Sequence, residues 1–341
     1  RRIYVVKIDS GLPPDLAKVA DKIRELEDIG YDGASCAEMN HDPFMPLAIA
    51  AEHSEKIEIK TGIAVAFARS PMILANLSHD LNAYSKGRFT LGLGSQIKPH
   101  ISKRFSMPWG KPGPQMRELI LAMRAIWANW YEGKPLEFVG EYYKHTLMTP
   151  AFTPENIEYG APRVNLAAVG PMMTQVCGEV ADGMIIHPFS NERYIRNVTL
   201  PAIAKGLEKS GRSRADIEIA YTPFIISGET EEQFEAARLA ARQRISFYGS
   251  TPAYKGVLEQ HNWGDLQLEL NTLSKQGRWD VMATLISDDM LEVFGVVATP
   301  DKLVSEILDR YGDIIDRTSA EFGFVSDIDQ RKEMIEQLRT S

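Results

Sequence analysis

The strongest constraint on the fold is an alternation of short β-branched segments with amphipathic helical segments, repeated along most of the chain. The first unit is IYVVKI at 3–8 followed by LAKVADKIRELEDI at 16–29, in which apolar residues recur at helical spacing. Pro14 precedes this helix and Gly30 follows it, as is typical of helix ends. Strands that alternate with helices predict a parallel sheet, because parallel neighbours require a crossover connection.

Seven more strands and seven more helices follow the same pattern. The predicted strands lie at 32–38, 57–67, 88–94, 163–170, 183–189, 217–227 and 320–327. The predicted helices lie at 44–52, 71–84, 113–130, 172–181, 191–209, 230–248 and 300–310. Eight strands alternating with helices, with no linker-like break in composition, favour an α/β protein with a (β/α)8 TIM barrel over an open doubly wound sheet. We expect one domain over residues 1–341.

Two longer segments, at about 131–162 and 249–295, interrupt the alternation. The first is rich in Pro, Tyr and Gly, and the second contains two tryptophans. Long segments between barrel elements commonly form lids, substrate pockets or subunit contacts, so we expect both at the C-terminal mouth of the barrel. Candidate walls of a substrate pocket, each equally compatible with a core position, are Trp109, Tyr142, Trp263 and Trp279.

The charge of the chain argues against two classes of partner. The 46 acidic and 38 basic residues give a net charge of -8, which disfavours a nucleic-acid backbone or an anionic membrane surface. No apolar run approaches the roughly 20 residues of a membrane span, and no charged-then-apolar leader opens the sequence. Only two cysteines occur, Cys36 and Cys177, and their apolar neighbours predict buried free thiols. We expect a cytoplasmic protein with a small-molecule partner.

Residues that directly follow the strands of such a barrel meet at its C-terminal face, where active sites lie. The candidates at these positions are Glu38, Asn40, His41 and Asp42 after the second strand, Phe67 and Arg69 after the third, Ser95, Gln96, Lys98 and His100 after the fourth, Gly170 and Pro171 after the fifth, His187 after the sixth, and Ser326 and Asp327 after the eighth. We expect these residues to surround one shared hollow.

The stretch LGLGSQ at 91–96 invites interpretation as a dinucleotide-binding loop. That fingerprint lies in the first strand-to-helix turn and has a third glycine in register, and this stretch meets neither condition. Glycine inside a strand also allows a ligand or a neighbouring backbone to approach closely. We therefore interpret Gly92 and Gly94 as part of a barrel strand that ends under a ring system.

The turn AAVGPMMT after the fifth predicted strand is a better candidate for phosphate binding. Pro171 suits the first turn of the helix that follows Gly170, and free N–H groups and the helix dipole attract anions there. Because Pro171 has no N–H, the donors would be the Met172 and Met173 main chain and the Thr174 hydroxyl. An ordinary strand-to-helix turn is the alternative.

His41 is the candidate proton-transfer group, since histidine ordinarily titrates near pH 6.5 and Glu38 lies close enough in sequence to orient it. A structural histidine is the alternative. The seven histidines form no HxH or HExxH pattern, and no GxSxG sequence is present. The sequence therefore predicts no metal site and no serine nucleophile.

Three long stretches carry a family resemblance, namely AEMNHDPFMPLAIAAEHSEKIEIKTGIAVAFARSP, LSHDLNAYSKGRFTLGLGSQ and AAVGPMMTQVCGEVADGMIIHPF. They resemble successive signatures of the bacterial-luciferase-like superfamily. Within it, the chain is most similar to the coenzyme F420-dependent oxidoreductases of actinobacterial type. The similarity covers most of the chain up to about Phe189 and continues more loosely to the end.

The resemblance implies a luciferase-like (β/α)8 barrel that holds the deazaflavin F420, or FMN in other branches, at its mouth. It places a third-strand bulge, often with a non-proline cis peptide, at Gly62-Ile63-Ala64, where it supports the ring. It places the phosphate site on Val169 to Met173, the catalytic histidine on His41 and an acidic position near Glu38.

One departure from the family pattern concerns the residues after the fourth strand. Members that oxidise sugar phosphates have a glutamate there, whereas this chain has Ser95 and Gln96. An amide cannot act as a carboxylate base, but it can hydrogen-bond a deazaflavin edge or a substrate carbonyl. We therefore favour reduction of a carbonyl or activated alkene over oxidation of an alcohol.

The resulting hypothesis is hydride transfer between F420 and a small or medium organic substrate, with His41 handling one proton and Glu38 orienting it. Substrate contacts are expected from Trp109, His187 and Trp263. The alternatives are an FMN-dependent monooxygenase supplied by a partner reductase, and a flavin-binding barrel without catalysis. As in relatives, we expect a homodimer.

Overall fold

The computed structural model describes residues 5–340. Its strands are β1 (Lys7–Gly11), β2 (Gly33–Cys36), β3 (Glu58–Thr61), β4 (Ala64–Val65), β5 (Phe89–Gly94), β6 (Phe138–Val139), β7 (Lys144–His145), β8 (Arg163–Ala168), β9 (Gly183–Ile186), β10 (Glu218–Tyr221), β11 (Phe224–Ile226), β12 (Gly295–Val297) and β13 (Arg317–Ser319). Its helices are α1 (Leu16–Ile29), α2 (Phe44–Glu52), α3 (Pro71–Tyr84), α4 (Pro112–Glu132), α5 (Pro171–Val180), α6 (Glu192–Tyr194), α7 (Leu200–Lys209), α8 (Glu231–Gly249), α9 (Lys255–Glu259), α10 (Gly264–Lys275), α11 (Trp279–Thr284), α12 (Asp288–Phe294), α13 (Pro300–Tyr311) and α14 (Ile328–Thr340).

The main sheet closes into a barrel, which confirms the predicted (β/α)8 fold. Its strands follow the order β3-β2-β1-β13-β10-β9-β8-β5, and β3 also pairs with β5, so the ring has no open edge. Every pairing in this sheet is parallel. β4 continues β3 after a break and pairs with the end of β5, so the two short strands occupy one position of an eight-membered ring.

The prediction of the last barrel strand at 320–327 is wrong, because the strand is Arg317–Ser319. The segment FGFV at 322–325 is apolar because Phe322 and Val325 are buried in a loop, whereas the true strand directs a charged side chain into the barrel. Consequently Ser326 and Asp327 do not follow a strand. Ser326 hydrogen-bonds Glu229, and Asp327 accepts from main-chain N–H groups at the start of α14.

Three other predicted elements differ in extent. β1 runs from Lys7 to Gly11 instead of over 3–8. The strand includes the polar residue Asp9, which is buried because it forms ion pairs with Lys60 and Arg317. Ile3 and Tyr4 lie outside the described residues. The predicted strand at 57–67 is divided into β3 and β4. The predicted strand at 217–227 is divided into β10 in the barrel and β11, which pairs with β12 in a separate sheet.

The two long segments contain structure that the sequence pattern did not predict. The segment 131–162 contains the hairpin β6–β7, and 249–295 contains the four helices α9 to α12. A second hydrophobic cluster joins the latter helices to α8, β11 and the loop after β9. Helix α14 was also missed, although Met334, Ile335 and Leu338 bury one of its faces. Within residues 5–340, no helix is long and apolar enough to span a membrane.

A network of charged side chains fills the lower part of the barrel. Arg317, with 2% of its side chain exposed, contacts Asp9 at 2.5 Å, Glu218 at 3.1 Å and Glu58. Lys60 pairs with the other oxygen of Asp9 at 2.6 Å. Burial is the largest single influence on Glu58 and Glu218 and opposes their ionisation, but the charges of Arg317 and Lys60 and the hydrogen bonds from Lys7 to Glu58 and from Arg317 to Glu218 together outweigh it and hold the pKa of each carboxyl below its usual range. The barrel floor is therefore ionic rather than apolar.

Candidate active site at the barrel mouth

A hollow lies directly above the charged floor. Side chains two residues apart on a strand share a face, so the inward position after Asp9 is Gly11, and the one after Arg317 is Ser319. Gly33 also faces inward, because a Cβ there would lie 2.2 Å from Oδ1 of Asp9, and Ser35 follows it on that face. The upper inward residues Gly11, Ser35 and Ser319 are partly solvent-accessible, whereas Ile8, Ala34 and Thr318 on the other face are buried. The upper barrel is thus open toward the C-terminal mouth.

The break between β3 and β4 forms one wall of this mouth. The Gly62–Ile63 peptide bond is cis, at the position that the family resemblance indicated. A Cβ on Gly92 would lie 2.0 Å from the Thr61 carbonyl oxygen, and one on Gly94 would lie 2.8 Å from Cδ1 of Ile63. The Thr61 hydroxyl also bonds the N–H and C=O of Gly92, at 2.8 and 2.7 Å. The glycines of β5 therefore accommodate the chain's own bulge.

Glu38 joins the loop after β2 to this bulge. Its N–H donates to the Ile63 carbonyl at 3.1 Å, and its Oε2 accepts from the Val65 N–H at 2.7 Å. Arg69 contacts both carboxylate oxygens, at 2.8 and 3.1 Å, and also reaches Asp42 at 3.0 Å. Because its hydrogen bonds go to these groups, Glu38 makes none with His41 in the described structure. Its contacts fit a role in positioning the loop.

His41 is exposed at the tip of the same loop. Among residues 5–340, its imidazole has no hydrogen-bond or ion-pair partner. The loop around it is nevertheless held by the ion pairs of Arg69 with Glu38 and Asp42, one on each side in sequence. The imidazole is therefore free to bind a ligand from a fixed loop.

Ser95 and Gln96 follow β5 and are partly exposed. Gln96 has a left-handed backbone with φ of 57°, and its Oε1 accepts from the Ile97 N–H at 3.2 Å. The Ser95 hydroxyl donates to the Gln96 carbonyl at 3.2 Å. The amide nitrogen of Gln96 has no partner in the described chain, so it is available as a donor.

The predicted phosphate turn has an open helix end. Gly170 is the N-cap of α5, has no side-chain cap, and has no atom within 4 Å of the position its Cβ would take. The buried Thr174 hydroxyl donates to the Gly170 carbonyl at 2.9 Å, so its proton is already used inside the turn. This leaves the Met172 and Met173 N–H groups as donors. The preceding residue, Val169, is tied by its carbonyl to the Tyr194 hydroxyl at 3.0 Å.

His187, after β9, lies between the barrel and the second hydrophobic cluster. Its ring centroid is 4.7 Å from that of Tyr248 and 5.0 Å from that of Tyr254. Burial, with a smaller effect of the Arg244 charge, lowers the pKa of His187 to about 4. Its Nδ1 accepts from the Phe189 N–H at 3.0 Å, which places the proton of the neutral ring on Nε2.

This environment predicts an acid-dependent loss of stability. The folded-state pKa of about 4 lies below the ordinary value near 6.5, so protons favour the unfolded chain as pH falls from 6.5 toward 4. We expect His187 to account for about 2 kcal/mol of lost unfolding free energy between pH 7 and 5, measured by urea denaturation. His187→Asn keeps an acceptor for Phe189 and does not titrate. An equally steep decline in that variant would contradict the prediction.

The predicted aromatic walls occupy different places. Trp109 packs edge-on against Phe67 with a centroid distance of 5.8 Å, near the end of the β3–β4 position. Trp263 stacks on His261 at 4.9 Å inside the second cluster and follows no barrel strand. Tyr142 accepts from the Lys111 N–H at 3.4 Å, and Trp279 is half exposed beside Phe247. The three predicted substrate-contact residues are Trp109, His187 and Trp263. Trp109 lies in the segment after β5 and His187 directly follows β9, so these two follow barrel strands at the mouth.

Sequence reasoning missed two features of the mouth. It did not pair Arg69 with Glu38. Opposite charges that directly follow adjacent strands could have predicted this ion pair, because both positions lie at the C-terminal face of the barrel. It also missed Glu321, because the last strand was predicted to begin three residues and to end eight residues too late. Oε1 of Glu321 lies 3.0 Å from the position of a Cβ on Gly11.

Comparison with known proteins gives a consistent result. The model of the family described as luciferase-like monooxygenase matches residues 4–317. An uncharacterised Mycobacterium tuberculosis protein is 51% identical over 312 residues, covering 92% of both chains. A 5,10-methylenetetrahydromethanopterin reductase of Archaeoglobus fulgidus is 28% identical, covering 84% of this chain and 83% of its own.

Two solved structures share the fold. One is the coenzyme F420-dependent tetrahydromethanopterin reductase of Methanopyrus kandleri, with a TM-score of 0.77, 23% identity, and coverage of 98% of this chain and 97% of the other. The other is the EDTA monooxygenase of Chelativorans sp. BNC1, with a TM-score of 0.72, 15% identity, and coverage of 98% and 94%. The relatives therefore include both reductases and monooxygenases.

Proposed function

Because this chain belongs to the luciferase-like monooxygenase family, we propose that it is a coenzyme F420-dependent oxidoreductase acting on a small or medium organic substrate. The relative from Archaeoglobus and the structure from Methanopyrus are both named as reductases, which favours a reductase. The structure from Methanopyrus is also named as F420-dependent, which favours F420 as the cofactor. A carbonyl or activated alkene is the favoured substrate, because Ser95 and Gln96 provide no carboxylate base after β5.

The observation that carries the proposal is the presence of two complementary features at one end of the barrel. The open N-terminus of α5 offers the Met172 and Met173 N–H groups to a phosphate. The bulge at Gly62 and Ile63 offers an exposed surface to a ring, since Gly62 is solvent-exposed. Exposed apolar side chains after three different strands, Met39, Ile97 and Met172, add a rim that suits a flat ring system. These residues fit an F420 molecule.

The protein's share of the reaction would be binding, orientation and one proton. F420 supplies two-electron hydride chemistry when bound. Gly170, Met172 and Met173 would hold its phosphate, and Gln96 would donate a hydrogen bond to the ring edge or to a substrate carbonyl. His41 would exchange a proton with the substrate, and Glu38 would keep the His41 loop in place through Arg69.

A cofactor titration tests the proposal. Purified protein is titrated with F420 and, separately, with FMN, and binding is followed by cofactor fluorescence. We expect F420 to bind at least ten-fold more tightly than FMN, a difference of about 1.4 kcal/mol. Tighter binding of FMN would favour the second candidate, an FMN-dependent monooxygenase, which is supported by the fold shared with the EDTA monooxygenase. Binding of neither cofactor would reject both functions.

Gly170 allows a specific test of the phosphate site. Val fits the extended backbone of Gly170, with φ of -77° and ψ of 155°, and its Cβ meets no protein atom within 4 Å. Gly170→Val should therefore leave the unfolding midpoint nearly unchanged while raising the F420 dissociation constant about ten-fold or more, since the side chain would occupy the space of the phosphate. Gly323→Val is the control, because that position is also open. Unchanged F420 affinity in Gly170→Val would place the phosphate elsewhere.

We further propose a cytoplasmic homodimer. Helix α3 and the segment 131–162 expose the large apolar side chains of Ile73, Tyr84, Leu147 and Phe152, which a second copy would cover. A monomeric mass in solution at micromolar concentration would reject the dimer.

A further inference from the structure

Glu321 is a carboxylate at the mouth without a hydrogen-bond or ion-pair partner in the described part of the chain. Its side chain is exposed. The other carboxylates near the mouth, Glu38 and Asp42, are both neutralised by Arg69. Glu321 is therefore the acidic group of this region that remains free to bind a ligand.

The position of the Glu321 carboxylate beside Gly11 indicates that it lies at the rim of the hollow. Arg317 points inward to Asp9, and the ladder continues beyond β13 because the Ala320 N–H donates to the Asp9 carbonyl at 3.1 Å. Alternation then directs Ser319 to the inner side, and Glu321 follows two residues after the end of β13. The carboxylate lies over Gly11, where a side chain would crowd it, since Oε1 is 3.0 Å from the Cβ position. The absence of a side chain at Gly11 leaves the carboxylate room at the rim.

Glu321 also lies on the same side of the mouth as the proposed ring support. Gly11 pairs in register with Ser35 on the next strand, and the Ser35 Cβ lies 3.0 Å from the position of a Cβ on Gly62. Adjacent strands are about 4.8 Å apart, so two strand spacings, about 10 Å, separate Glu321 from the bulge. A ring against the bulge and a small substrate beside it would span that distance.

We propose that Glu321 is a substrate-specificity residue, which accepts a hydrogen bond from a hydroxyl or ammonium group that the substrate carries in addition to the carbonyl or alkene that is reduced. The inference rests on the proposed function for the position of the ring. A charged acceptor favours a hydroxyl or ammonium donor and disfavours a group that can only accept, because an unpaired carboxylate cannot donate. The small hollow formed by Gly11, Ser35, Ala220 and Ser319 would hold the apolar part of the same substrate.

Three matched six-carbon probes test this without turnover. Cyclohexanol, cyclohexylammonium and cyclohexanone differ only in the polar group, and their dissociation constants are measured by NMR titration of the F420-saturated protein. We expect at least one donor probe to bind five-fold or more tightly than cyclohexanone. Preference for the alcohol or for the ammonium ion identifies which donor the site accepts.

Variants of the carboxylate complete the test. Glu321→Gln should bring the three dissociation constants within about two-fold of one another. Glu321→Asp should retain the order of affinities of the three probes. The control is Glu333→Gln, at an exposed position of α14, which should behave as the wild type. Equal binding of all probes by the wild type, an unchanged order in Glu321→Gln, or binding of no probe would overturn the inference. Failure to bind F420 in the same samples would instead reject the proposed function.

Discussion

Replacement of Arg317 by Leu is expected to lower the free energy of unfolding by about 3–5 kcal/mol, because the change leaves a buried carboxylate cluster without its central cation. Arg317 is 2% exposed at its side chain and contacts Asp9, Glu58 and Glu218. The remaining partner of Asp9, Lys60, cannot balance all three carboxylates. Urea denaturation at pH 7 measures the loss.

A surface arginine provides the matched control. Arg24→Leu removes an ion pair with Asp21 whose side chains are 52% and 92% exposed, and exposed pairs contribute at most about 1 kcal/mol. The pH dependence adds a second criterion. Because the pKa values of Glu58 and Glu218 are lowered in the folded protein, their stabilisation is present above the unfolded-state pKa near 4.3 and is lost as pH falls through the lower folded-state values. The wild type and Arg317→Leu should therefore converge below about pH 4; a constant difference down to pH 3 would contradict the ionic explanation.

Replacement of His41 by Ala is expected to reduce turnover about 100-fold or more, since a positioned general acid or base contributes on that order. The imidazole is exposed and has no hydrogen-bond or ion-pair partner among residues 5–340, so its loss removes no such interaction from this part of the folded chain. The F420 dissociation constant and the unfolding midpoint should therefore stay close to those of the wild type. Steady-state kinetics with F420 and a carbonyl substrate, together with F420 titration, measure the two effects separately.

His53→Ala is the control for this experiment. His53 is the C-cap of α2, at the opposite end of that helix from the His41 loop, and its Nδ1 is hydrogen-bonded to Arg24 at 2.9 Å. We expect full turnover in His53→Ala. Turnover in His41→Ala within a factor of three of the wild type would remove His41 from the proposed mechanism and leave Gln96 as the remaining polar candidate after β5.

The architecture was accessible from sequence because hydrophobic periodicity reports local structure. The helix at 44–52 was predicted to the residue, and the others mostly within one or two residues, since their buried faces recur at a spacing of three to four. Buried parallel strands were equally visible as short apolar runs. The last strand escaped detection because its inward residue is Arg317, whose burial depends on acids from β1, β3 and β10.

The residues at the mouth were identified by their positions after strands, but their partners were not. Sequence proximity suggested that Glu38 orients His41, whereas the structure directs Glu38 to Arg69 and Val65. Thr174 was expected to face a phosphate, and its hydroxyl instead bonds Gly170 inside the turn. Arg69 lies 31 residues from Glu38, and tertiary packing sets their distance, which no spacing along the chain reports. Gly170, by contrast, lies four residues before Thr174, so the geometry of the first helical turn could have predicted that bond.

The sequence by itself determined the alternation of strands and helices and the open helix end at Gly170. Both follow from steric and hydrogen-bonding properties of residues close together in the chain. Only the tertiary structure decided which charges are paired and which are free, because ion pairs such as Asp9 with Arg317 join residues at opposite ends of the chain. Closure of the barrel brings these ends together, and within residues 5–340 it leaves His41 and Glu321 at the mouth without hydrogen-bond or ion-pair partners.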